Sequence, residues 1–144
     1  MEQWRWFRYL GTAALLGLGW FVVLLIPPWT RTWLLERGWI LRQVLLLVAS
    51  SVILAFLFRN HIARAQGTFA DLARGAALPY VGCVIYLTLW NALAWIRQWM
   101  FGGLTSLYDS LILYPWGLSY ALISCWVIIP YGYFCQRMMK RALE

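Results

Sequence analysis

Residues 39–58 read WILRQVLLLVASSVILAFLF. Apart from Arg42 and Gln43 near one end and Ser50 and Ser51 at the middle, every side chain in this stretch is apolar. At a rise of about 1.5 Å per residue, a helix of this length covers about 30 Å, the thickness of a bilayer's hydrocarbon core. Inside that core every backbone N–H and C=O must be paired, which leaves helices or closed barrels, and an unalternated run this long does not fit a barrel strand. The stretch predicts a transmembrane helix.

Working outward, three further apolar runs of similar length occur at Leu10–Pro28, Leu78–Ile96 and Tyr114–Phe134. The whole chain of 144 residues is 63% hydrophobic and only 12% charged, against about 25% charged in ordinary soluble domains. That leaves too little polar surface to cover a water-facing protein, so a soluble globule, a disordered chain and a nucleic-acid binder are excluded and the lipid bilayer is the first partner. The expected fold is all-α: an integral membrane bundle of four helices, forming a single polytopic domain over residues 1–144. Because the first run is longer than the apolar part of a signal peptide and ends in Pro27-Pro28-Trp29 without a small-x-small site, it is expected to be a retained span.

Flanking cations predict the orientation. Arg5, Arg8, Arg59, Arg64, Arg74, Arg137, Lys140 and Arg141 fall on one side, and Arg31, Arg37, Arg42 and Arg97 on the other. The cation-rich side tends to stay cytoplasmic, which places both termini and the middle connection inside. An inner (plasma) membrane of bacterial type is the expected location. Trp4, Trp6, Trp29, Trp33, Trp39, Trp95, Trp99 and Trp116 lie near span ends, where an indole keeps its ring among headgroups and its N–H wet.

The connections are expected to hold short interfacial amphipathic helices. Ile62, Ala65, Phe69, Leu72, Ala73 and Ala76 recur at helical spacing, with a break at Gly67 and with Thr68 and Asp71 placed to cap the second half. Leu104, Leu107, Tyr108 and Leu111 share a face between Gly102-Gly103 and Pro115, as a second interfacial helix or as an extension of the last span. Pro130 is expected to kink that span.

Polar groups inside a bilayer are the default place to look for function. Arg42, about one turn inside its span, must snorkel or find a partner. With Arg97 and Trp99 it could form an outer site for an anionic headgroup or carboxylate, whereas Glu36 or Asp109 would serve equally as neutralising neighbours. Asn91 needs an interhelical partner and is expected to act as packing glue before it acts as a ligand. Ala13 with Gly17, and Gly117 with Ala121 and Cys125, are spaced four apart as helix-packing ridges.

No span carries a deep Asp, Glu or Lys, which disfavours proton-coupled export. The lone His61 has no ligand-spaced companion, so no metal site is expected, and the three cysteines are too scattered for a disulfide framework. Catalytic residues and cofactors are expected to be absent, Glu36 with Asp109 being the sole carboxylate pair on offer. The expected role is that of a small non-enzymatic accessory, sensing or immunity-type subunit, acting by helix packing with itself as a homo-oligomer or with a membrane protein partner. The alternative is a small oligomeric transporter or pore for a lipid-like or anionic solute, lined by Arg42, Asn91 and Arg97.

Overall fold

The computed structural model describes residues 2–36, 40–64, 67–103 and 107–143, with only the backbone at Glu2, Trp33 and Glu36. The regular structure among them is entirely helical: α1 (Glu2–Leu24), α2 (Pro28–Glu36), α3 (Ile40–Ala63), α4 (Thr68–Phe101), α5 (Leu107–Ile123) and α6 (Cys125–Leu143). Three helices, α1 from Gln3, α3 and α4, are long and apolar enough to cross a membrane, and α5 with α6 pass the same test as a pair bent by 86°. The protein is an all-α, multi-pass membrane bundle.

Helix α4 has 34 residues, about 51 Å of helix, more than the hydrocarbon core requires. It serves as a spine for the last pair. Its first half packs on α6 and its second half on α5, while α1 lies chiefly on α3 and α6. The bent pair meets both halves of α4, and the helices long and apolar enough to cross number three among the described residues, or four with the bent pair taken as one span. Arg8 confirms where the ends meet: its Nε and Nη2 donate to the carbonyl of Ala142 at 3.2 and 3.0 Å. That bond pairs an orphan carbonyl of the last turn of α6 with a cation, the sign the helix dipole favours there.

The main core lies towards this end. Tyr9, Ala13, Leu16, Leu54, Ala55, Ile62, Leu78, Cys135 and Met139 are buried together, and the Tyr9 hydroxyl donates to the Ala55 carbonyl at 2.8 Å. A smaller cluster of Leu46, Leu47, Tyr86 and Leu87 sits between α3 and α4 farther along.

The tightest crossing joins α4 and α6. Pro79 lies inside α4 and has no N–H to give the carbonyl of Gly75 four residues earlier. That carbonyl points at Gly132, where an added Cβ would stand 2.0 Å from the Gly75 oxygen and 2.7 Å from Pro79 Cγ. A Cβ on Gly75 would meet Tyr133 Cα at 2.5 Å. Only glycine fits on either side, and close backbone approach supplies the dispersion contact that holds helices together in lipid.

The span boundaries differ from those expected. Helix α1 stops at Leu24, four residues short of Pro28, and Pro28 opens α2 instead, its fixed φ and missing N–H suiting a helix's first turn. The expected amphipathic segment after Phe58 is not a separate helix. Its first part prolongs α3 to Ala63 and its second, from Thr68, is the start of α4, with Gly67 at φ 86° making the turn. Neither Thr68 nor Asp71 caps α4, because Asp71 turns towards α6. Likewise Leu107, Tyr108 and Leu111 belong to α5, as an extension of the last span.

The kink expected at Pro130 is displaced. Pro130 lies within α6, and the chain breaks at Ser124. There the indole of Trp29, carried by α2, donates to Ser124 Oγ at 2.7 Å, while the Ser124 carbonyl accepts the N–H groups of Val127 and Ile128 at 3.0 Å and so starts α6 afresh. The bend thus coincides with a contact from the short helix α2. Arg37, Trp39, Ala65, Gln66 and residues 104–106, which figured in the expected connections, lie outside the described residues, as does the side chain of Glu36.

Candidate functional site

At the end of the bundle away from the termini, α3 begins and α4 finishes. The guanidinium of Arg42 stacks over the Trp90 ring, 4.2 Å from its centroid. Two helical turns beyond Trp90 on the same face of α4 stands Arg97, and the two arginines line one groove of about 440 Å³ together with Trp90, Gln98 and the glycines Gly102 and Gly103. The glycines let the wall fall away: Gly102 has φ 72°, and its N–H closes the helix on the Gln98 carbonyl at 2.9 Å. None of the described residues lining the groove is acidic. Trp99 does not line it and is largely exposed instead.

Below Arg42, a second and apolar groove of about 480 Å³ runs along the outside of α3, lined by Leu41, Leu45, Leu46, Ala49 and Leu93, and it shares Arg42 and Leu93 with the first. Leu41 and Leu45 are exposed on the outer surface of the bundle, so this groove faces lipid.

Several other polar side chains of the spans face inward, while Thr88 and Ser119 are exposed. Asn91 Nδ2 donates to the Ser110 carbonyl at 3.0 Å, and Trp95 Nε1 donates to Ser110 Oγ at 3.1 Å, tying α4 to the first turn of α5. Asn91 is thus interhelical glue. Asp109, one residue away, is exposed in the first turn of α5, where a carboxylate suits the positive end of the helix dipole. The Tyr86 hydroxyl donates to Gln43 Oε1 between α4 and α3, with Gln43 fully buried. The Ser50 hydroxyl donates to its own helix at the Leu47 carbonyl, 2.9 Å away.

In mid-bundle all six helices border a cavity of about 110 Å³, opened by the bend at Ser124 and lined by residues such as Trp20, Leu47, Leu54, Cys83, Leu87 and Ile128. Thr30, which borders it, shares its hydroxyl proton between the Leu24 and Pro27 carbonyls. A cavity of that size and lining stays dry or accepts an apolar molecule.

The packing residues singled out in the sequence work inside the chain. Ala13 and Ala121 are buried. A Cβ on Gly17 would touch Val48 Cα at 2.8 Å, and one on Gly117 would touch Leu87 Cδ1 at 2.7 Å. Cys125, half-buried, begins α6 beside the break. No protein-family model, curated protein or solved structure matches this chain.

Near the termini a different polar group forms. Lys140 Nζ pairs with Asp71 Oδ2 at 3.8 Å, Gln136 Nε2 donates to the Ile62 carbonyl at 3.3 Å, and Arg59 lies over the Trp6 ring at 4.1 Å. His61 is exposed close to Phe58. Among the described residues no three His, Cys, Asp or Glu side chains come together as metal ligands.

Trp90, Gln98, Gly75 and the Trp29–Ser124 contact were missed by sequence reasoning. The spacing of Trp90, Leu93 and Arg97, three and four residues apart, carried the signal for one shared helix face. No sequence pattern ties Trp29 to Ser124.

Proposed function

We propose that this protein is a non-enzymatic accessory, sensing or immunity-type component of a bacterial inner membrane, acting through helix packing with partner membrane proteins or with further copies of itself. Both termini lie in the cytoplasm in this reading, as the eight cations on their side against four on the other favour. The observation that carries the proposal is the interior. Asn91, Ser50, Tyr86, Ser124 and the Gln43 side-chain carbonyl make contacts within the chain, and the mid-bundle cavity is mainly apolar, so the described residues offer a hydrated solute little to bind.

Photo-crosslinking in native membranes tests it, with the reactive side chain placed at the exposed positions of Trp116 and Trp126. A discrete adduct with one membrane protein, or with a second copy, is expected. A stable monomer in mild detergent with no adduct from either position counts against the reading. Orientation is checked by impermeant thiol labelling of Gln66→Cys and Ser106→Cys on intact cells, where only the latter should react.

The transport reading draws support from the groove that Arg42 and Arg97 share, but Asn91 is occupied by Ser110 and does not line that groove. An anion flux in liposomes that disappears with Arg42→Leu would put transport first.

A further inference from the structure

We propose that the end of the bundle opposite the termini carries a binding site for one anionic phospholipid, its phosphate held by Arg42 and Arg97 and one acyl chain laid along α3. Three observations converge. Two guanidinium groups border a single groove whose described lining has no carboxylate, which gives a positive potential suited to a phosphate. That groove continues at Arg42 and Leu93 into an apolar one bounded by Leu41, Leu45 and Ala49 on the lipid-facing side of α3. Arg42 itself is fixed against Trp90.

The chemistry of each wall selects the ligand. Stacking on an indole uses the face of a guanidinium, while phosphate recognition uses its N–H edge, so the contact of Arg42 with Trp90 does not compete for the atoms an oxyanion uses. A soluble phosphate would satisfy the arginines but has nothing to place along Leu41, Leu45 and Ala49. A zwitterionic lipid would fill the apolar groove but brings a cation to the arginines. An amphiphile with a net negative headgroup satisfies both walls with no cation to offset its phosphate. The volume of the polar groove, about 440 Å³, falls in the range of roughly 300–1,000 Å³ usual for small-molecule sites.

The site stands apart from the accessory reading, because lipid retention is measured on the isolated protein whether or not it has a partner. The test uses the full chain in nanodiscs of phosphatidylcholine doped with phosphatidylglycerol, analysed by native mass spectrometry, with glycerol phosphate as a soluble competitor. Phosphatidylglycerol should be retained about fivefold over its share of the bilayer, and R97Q should abolish the enrichment. Ala49→Trp, which fills the apolar groove from a half-buried position, should weaken retention while the melting temperature holds. R42Q should act like R97Q, and if loss of the Trp90 stack unfolds it, R97Q and Ala49→Trp decide alone.

Equal retention of both lipids, or enrichment that survives R97Q, overturns the proposal. Enrichment untouched by Ala49→Trp and fully competed by glycerol phosphate also overturns it, in favour of a site for a free anion.

Discussion

The two ends of the bundle are built on different physics. Near the termini, α1, α3, α4 and α6 close on one another with backbone against backbone at Gly75 and Gly132, a shared buried core, and polar bonds between helix ends at Arg8–Ala142 and Asp71–Lys140. At the opposite end α5 rests mainly on α4, polar contacts at Ser110 and between Thr88 and Tyr114 join the two, and two grooves lie open. Tight packing requires that no group stand between helices, whereas a site requires that something be left out. The contrast separates the part of the molecule that holds it together from the part available to meet another molecule.

The harshest way to break the closed end is Gly132→Val. Overpacking usually costs about 1–3 kcal/mol, and here backbone meets the new atoms on both sides, so a cost above that range and loss of monodisperse protein on gel filtration are expected. Gly117→Ala meets only the end of the Leu87 side chain, which can turn aside, and should leave the melting temperature in the same detergent within a few degrees of the parent.

Next comes Asp71→Leu, which removes the buried end of the ion pair with Lys140. A loss of about 1–3 kcal/mol is expected on breaking the pair, with Lys140→Leu in the same chain restoring part of it. Steric trapping or denaturant titration in detergent gives the number.

Tyr9→Phe removes a buried hydrogen bond to Ala55 and should cost about 1 kcal/mol. Asn91→Leu, its counterpart at the open end, should cost about 0.6 kcal/mol, the average for interhelical polar contacts in membranes. Equal or reversed losses in the same titration would erase the contrast between the ends. Trp29→Phe should be milder still in stability yet visible in geometry. Spin labels on Leu107 and Leu143 should report a broader distance distribution once the donor to Ser124 is gone.

How far the sequence could be read depended on how local the cause was. The spans at 39–58 and 78–96 were legible because apolarity over a membrane's thickness needs no partner to be recognised, and the structure extends them as α3 and α4. The groove at Arg42 and Arg97 was half legible: both cations stood out, while Trp90 was hidden among other indoles until α3 and α4 were laid side by side. Trp99, assigned to that site by proximity in sequence, points elsewhere because two residues of helix rotate a side chain to another face. The bend was assigned to Pro130 from a backbone rule, whereas the chain breaks at Ser124, where a distant helix makes a contact that no local rule contains.

Length and apolarity were enough to make this chain an all-α membrane protein, since those properties act residue by residue against a uniform solvent. Which helices touch through glycine, where the last span breaks, and which two arginines share a groove were decided by the tertiary structure. Each of those depends on two surfaces meeting at a distance of a few ångströms, and no single segment contains that information.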